Sequence, residues 1–231
     1  MTRMKSTFAK KAANFYSNLA FPSKLPKKVD VMNPYQRPEV RGYLDIFLKK
    51  FYADRDNRTF VFGINPGRFG SGLTGVTFTD PVALNDFCGI PNTLPRIRER
   101  SSEFIYSFIE KYGGTEKFYK DFFLTAISPL GFTLGGINYN YYDSPALLKI
   151  SKPFILETLR MQMNFGANRN AAILIGTGKN QKFFTDVNNE YGFFKKLYAV
   201  EHPRFIMQYR RRHLSKYLKK YQDVFSKALA Q

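Results

Sequence analysis

Two residues in this sequence, Asn65 and His202, stand where an open α/β sheet would do chemistry on a ligand. Each closes an apolar run and precedes a proline, in Phe60-Val61-Phe62-Gly63-Ile64-Asn65-Pro66-Gly67 and in Leu197-Tyr198-Ala199-Val200-Glu201-His202-Pro203. Proline drives the residue before it into an extended conformation, and Gly67 reaches backbone angles closed to other residues. The first turn thus presents one amide and several bare N–H groups at the carboxyl end of a strand, where ligands of such sheets bind. An amide there holds a water by hydrogen bonds but is a very poor proton acceptor. His213, the only other histidine, lies among Arg210, Arg211, Arg212 and Lys216 and reads as facing solvent or phosphate.

Several chemistries fail on residue grounds. The Gly67–Gly72 stretch lacks the Lys-Ser/Thr pair of a Walker-type phosphate loop. Two histidines and one distant cysteine, Cys88, give no zinc-ligand spacing, no disulfide and no cysteine-ligated iron–sulfur cluster. No lysine sits in either strand-end segment to act as a Schiff-base nucleophile. The expectation is a site without metal or organic cofactor.

Charge supplies the partner. The chain has 36 Lys and Arg against 18 Asp and Glu, a net +18. Such an excess points to a polyanion, nucleic acid before an anionic membrane. From Met1 to Lys28 there are seven basic and no acidic residues, and from His202 to Gln222 again seven and none. The footprint is therefore built from both ends, a region of about 1–28 and a helix of about 208–229. No apolar run approaches the roughly 18 residues that cross a bilayer, and the N-terminus has no signal-peptide pattern. A cytoplasmic monomer in a reducing compartment is expected.

The elements that must hold these residues follow from periodicity. Strands are predicted at Thr59–Ile64, Phe122–Ile127, Ala171–Gly176 and Leu197–Val200. Helices are predicted at Met1–Ala20, Arg41–Phe51, Pro81–Cys88, Ser102–Tyr112, Lys152–Phe165, Asn180–Val187 and Gln208–Leu229. Asp143 or Ser144 caps a further helix with Pro145 in its first turn. Phe21–Glu39, with four prolines, reads as extended, and Gly135–Asp143 as a loop. Strands alternating with helices argue for one α/β domain over residues 1–231, with a parallel sheet between helical layers.

The first segment also carries a resemblance. Gly63-Ile64-Asn65-Pro66-Gly67, Phe69-Gly70 and Thr74-Gly75-Val76-Thr77-Phe78 are similar, with spacing kept, to the first motif of SMUG-type uracil-DNA glycosylases. That motif reads roughly Gly-Met-Asn-Pro-Gly, Phe-Gly, Thr-Gly-Val-Pro-Phe. His202-Pro203 matches the second motif of the superfamily. The resemblance, over roughly Thr59 to Arg204, implies a three-layer sandwich around a four-stranded parallel sheet, in a divergent bacterial subfamily. It implies a monofunctional DNA glycosylase of base-excision repair, hydrolysing the N-glycosidic bond and leaving an abasic site. Asn65 then holds the attacking water, His202 hydrogen-bonds the base carbonyl, and Phe78 stacks on the extruded base. Gly63 and Ile64 contact the base through the backbone, and Gly67 and Arg68 reach nearby phosphate.

Departures from the pattern shape the substrate. Where SMUG proteins read His-Asn-x-Cys-Pro-Leu this chain has Thr125-Ala126-Ile127-Ser128-Pro129-Leu130, so Ala126 replaces the amide that reads uracil. Ser128 or Thr125 is a substitute reader, or the site takes another deaminated base such as xanthine. After His202-Pro203 the chain runs Arg204-Phe205-Ile206-Met207, a candidate wedge loop, and Arg210 and Arg211 are candidate phosphate contacts. Two rivals stand beside this reading: a DNA-binding module of the same fold without chemistry, and a hydrolase of free nucleosides or nucleotides.

Overall fold

Four apolar runs pair as one parallel sheet in the computed structural model, which describes residues 6–231. In chain order the elements are α1 (Phe8–Ser17), β1 (Val29–Met32), a 3-10 turn (Pro34–Gln36) and α2 (Pro38–Phe51). There follow β2 (Arg58–Gly63), α3 (Ser71–Thr74), α4 (Pro81–Asp86), α5 (Arg100–Tyr112) and α6 (Thr115–Asp121). The middle holds β3 (Phe122–Ala126), β4 (Gly131–Leu134), β5 (Ile137–Tyr139), α7 (Pro145–Met163) and β6 (Ala167–Ile175). The chain closes with α8 (Lys179–Tyr191), β7 (Lys196–Val200), α9 (Pro203–Tyr209), a 3-10 turn (Arg211–His213) and α10 (Leu214–Leu229).

The main sheet runs β3-β2-β6-β7, every neighbour parallel. Central β2 is buried along its whole length, as in a strand covered on both faces. β2 connects on to β3 at one side and β6 to β7 at the other, so the crevice at their carboxyl ends is a topological switch point. This is the α/β fold with a four-stranded parallel sheet between helices that the sequence predicts.

Aromatic side chains fill the core. Phe8 of α1 packs on Tyr52, Phe60, Phe123 and Phe165, drawing the N-terminal helix against the sheet. On the other face, Tyr221 and Phe225 of α10 meet Phe104 and Phe108 of α5. The basic terminal helices therefore each bury an apolar stripe, and only their polar faces are free for a ligand. Among the described residues no helix is long and apolar enough to cross a membrane.

Several elements differ from expectation. A second, antiparallel sheet, β1-β4-β5, occupies parts of the segments read as extended and as loop. Its hairpin turns on Gly135 and Gly136, both at positive φ, the two-residue geometry that tight hairpins require. α7 runs unbroken through Pro153 from its Ser144 cap, joining two predicted helices. The predicted Gln208–Leu229 helix is interrupted, α9 ending at Tyr209 and α10 starting at Leu214. Residues 1–5 of the expected N-terminal helix lie outside the described residues.

Candidate active site

A pocket of about 200 Å³ opens at the carboxyl ends of β2, β3 and β7. Gly63, Ile64, Asn65, Gly67, Phe78, Ala126, His202 and Arg204 line it together, from positions as much as 141 residues apart. Ser71, Thr77, Glu99, Ser101, Asn138 and Asn140 line it too, and sequence reasoning missed all six.

The turn after β2 is tied to the turn after β3. Ile127 N donates to Gly63 O at 3.0 Å and Ser128 N to Ile64 O at 3.1 Å. The register of the sheet thereby fixes where Asn65 starts. Its side chain is half-buried, Oδ1 accepting from Tyr141 N at 3.3 Å and Nδ2 donating to Pro66 O at 3.2 Å. Tyr141, fully buried, donates its hydroxyl to Asn180 Oδ1 at 2.8 Å, so α8 anchors the backbone that orients the amide. A carbonyl oxygen has two lone pairs, and one on Asn65 remains for a water proton.

Phe78 sits at φ 57°, a left-handed conformation that costs a non-glycine residue about 1–3 kcal/mol. The surrounding turn holds it there: Thr74 Oγ1 donates to Thr79 O at 2.7 Å and accepts from Val76 N at 3.1 Å. The ring covers Gly63, where a Cβ would stand 2.9 Å from Phe78 Cε2 and Cζ. Its other neighbour is the imidazole of His202, 5.8 Å between centroids. Gly72 is equally constrained, because a Cβ there would meet Gly67 O at 2.6 Å.

His202 caps α9, its Nδ1 accepting from Arg204 N at 3.2 Å. With Nδ1 an acceptor, the ring proton of the neutral form resides on Nε2. Burial, and then the positive charge of Arg204, push the imidazole down to about pKa 4. The site thus holds a neutral N–H donor at physiological pH.

Other predicted site residues fall elsewhere. Ser128 is fully buried and spends its hydroxyl on Leu130 O at 2.7 Å, so it does not read a ligand from the pocket. Thr125, its alternative, donates to Gln162 Oε1 at 2.6 Å inside the core. The segment after His202 is the helix α9 and not a loop, and Ile206 and Met207 are buried beneath it. That removes both as wedges, because burying their apolar side chains is what seats α9. Phe205, 40% exposed, stays at the surface beside Tyr209, with Arg210 5.5 Å over its ring. Arg211 pairs with Glu103 at 3.0 Å across the surface, and Arg68 donates to Gly136 O. Among the described residues no group of three or more His, Cys, Asp and Glu is arranged to hold a metal ion.

The Uracil DNA glycosylase superfamily model matches residues 50–226. The crystal structure of wild-type Pedobacter heparinus SMUG2 superposes with a TM-score of 0.94 at 43% identity, over 98% of this chain and 100% of that one. No curated protein matches the chain significantly. Both segments that line the pocket from β2 and β7 lie inside the matched region, and the chain belongs to the uracil DNA glycosylase superfamily, as a SMUG-type DNA glycosylase.

Proposed function

We propose that this glycosylase removes uracil or a larger deaminated base, xanthine among them, from DNA by simple hydrolysis. The observation that carries this is the convergence of Asn65, a neutral His202 and Phe78 on a pocket whose far wall is Ala126. Phe78 stacks on the extruded base. As the C1′–N bond breaks, the base takes the electron pair and His202 Nε2–H donates to its carbonyl oxygen. Asn65 Oδ1 holds the water whose oxygen bonds C1′. That water loses a proton, the base anion is protonated, and the products are a free base and an abasic site. Among the described residues no lysine lines the pocket, which supports hydrolysis without a lyase step.

Duplex binding falls to the exposed basic residues around α9 and α10. Arg204 and Arg210 flank Phe205, which we assign as the wedge that fills the vacated stack. Each phosphate neutralised should steepen the salt dependence of binding by about 0.9 in log–log slope. A nucleoside hydrolase would show no such slope, and a binding module without chemistry would bind without forming abasic sites.

The test is a panel of single- and double-stranded oligonucleotides carrying uracil, xanthine, hypoxanthine or hydroxymethyluracil, scored for abasic sites. Excision of at least one is expected, and binding with none cut would overturn the reading. Ala126→Asn should shift preference towards uracil, because it adds an amide to a wall that is 5% exposed and now apolar. An unchanged lesion profile would remove Ala126 from the specificity argument.

Gly63→Ala should slow excision about tenfold or more at a modest stability cost, since overpacking usually costs about 1–3 kcal/mol. The added Cβ displaces the Phe78 ring from its 2.9 Å approach. Unchanged excision alongside a loss of melting temperature would separate Phe78 from base binding.

A further inference from the structure

Ala126 leaves the extruded base without a side-chain reader from β3, yet the pocket is not without polar groups. Two come from the segment entering α5, Glu99 and Ser101. Ser101 is 2% exposed, and its Oγ has no hydrogen-bond partner. A buried hydroxyl left unpaired costs about 1–3 kcal/mol unless a ligand or water satisfies it. Its neighbour in the pocket is a carboxyl placed against the glycine-rich turn. A Cβ on Gly70 would stand 2.1 Å from Glu99 Oε2, and one on Gly67 would stand 3.6 Å from Glu99 Oε1. Gly70 therefore leaves the room that the carboxyl occupies, while Gly67 lies at ordinary contact distance from it.

The segment is also pinned. Asp80 caps α4, one carboxylate oxygen accepting from Ala83 N at 2.7 Å and the other from Glu99 N at 2.7 Å. Asp80 N in turn donates to Ser102 Oγ at 3.2 Å. These bonds hold the segment through the Glu99 backbone and the Ser102 hydroxyl while leaving the Glu99 and Ser101 side chains free for the pocket. Such a rigid mount with unspent polar groups suits recognition.

We propose that Glu99 and Ser101 read the edge of the extruded base in place of the missing amide, the Glu99 carboxyl donating to an oxo group and the Ser101 hydroxyl making a second contact. The proposal rests on the glycosylase reading above and names the edge by which that site selects its substrate. Deamination turns an amino donor on a base into an oxo acceptor, and a carboxylic acid O–H donates to that acceptor. An ionised carboxylate cannot, and it repels the oxo lone pairs.

The electrostatics fit this role. Burial first, and then the negative charge of Asp80, push the Glu99 carboxyl up to about pKa 7, against the opposing pull of Arg204. Asp80 acts on it from the α4 cap, and Arg204 and His202 line the same pocket from the start of α9. On its own element, Glu103 is paired with Arg211. His202, pushed down to about 4, stays neutral across the range in which Glu99 titrates.

The test compares wild type, Glu99→Gln, Glu99→Leu and Ser101→Ala by kcat/KM on uracil and hypoxanthine duplexes from about pH 5.5 to 8.5. Wild type should lose about tenfold per pH unit above pH 7, where the donor form is lost. Glu99→Gln keeps an N–H donor and cannot ionise, so it should stay within about threefold of wild type at pH 6.5 and show no limb near 7. Glu99→Leu should be down about tenfold or more at every pH, and Ser101→Ala about threefold to tenfold. A Glu99→Gln profile that keeps the wild-type limb, or a Glu99→Leu enzyme as active as wild type, would overturn the assignment. A wild type inactive on both lesions, and on the wider panel above, would overturn the glycosylase reading and this proposal with it.

Discussion

Asn65→Ala should slow single-turnover base release by about 10²-fold or more while leaving duplex affinity within about twofold. The amide is built into the site by backbone geometry. Pro66 extends residue 65, the β2–β3 register sets its height, and Tyr141 N holds Oδ1 at 3.3 Å. Alanine keeps Pro66 and the β2–β3 register and removes the amide proposed to orient the water, together with its bonds to Tyr141 N and Pro66 O. The affinity should stay because the proposed DNA-binding surface around α9 and α10 and the proposed stacking ring of Phe78 are both untouched. Asn65→Asp keeps one acceptor oxygen on the same stem and should lose less than Asn65→Ala. Tyr141→Phe supplies a control: it cuts the hydroxyl bond to Asn180 at 2.8 Å but leaves Tyr141 N in place. It should therefore cost less than Asn65→Ala. An Asn65→Ala enzyme with the wild-type single-turnover rate would show that the water is held by other groups.

What could be read in advance divides along physical lines. β2, β3 and the second half of β6 are buried and β7 is a half-buried edge strand, and all four hold apolar runs that stop at glycine or polar turns, so their sequences carry both type and boundary. Asn65 and His202 were legible for the same reason, each lying directly after such a run and before proline. The β1-β4-β5 sheet was not, because its strands are three or four residues long and partly exposed. Its one local cue was Gly135-Gly136, the glycine pair that a two-residue hairpin takes. α9 carried a cue as well: a capping His202 followed by Pro203 at the first helical position. The wedge reading hid it, and with it the burial of Ile206 and Met207. Glu99 and Ser101 carried no cue. Glu99 stands among arginines at 96, 98 and 100 and looks like a solvated charge, and only the tertiary fold turns it towards Gly67 and Gly70.

His202→Ala should lower excision by about 10²–10³-fold, the range seen when one donor to a developing oxyanion is removed. The same substitution should change stability in a pH-dependent way that identifies how the imidazole is held. Its native pKa of about 4 lies below the ordinary 6.5, because burial and Arg204 disfavour the cation. Between those values the unfolded chain binds a proton that the folded chain does not, so this group adds stability as pH rises from 4 to 6.5. Removing it should therefore raise melting temperature relative to wild type at about pH 5 more than at about pH 7.5. The lost cap on Arg204 N costs about 1 kcal/mol at both values and cancels in that difference. Glu99, raised from 4.5 to about 7, acts in the opposite sense: its contribution is lost as pH rises through 7, and it remains in both proteins. The difference between wild type and His202→Ala thus isolates the histidine. A variant that gains relative stability in acid while losing catalysis shows a neutral N–H donor kept at a cost to folding. A melting difference independent of pH would mean that folding leaves the proton affinity of His202 unchanged, and one of opposite sign that the folded protein favours its charged form. The oxyanion would then be met by an imidazolium instead.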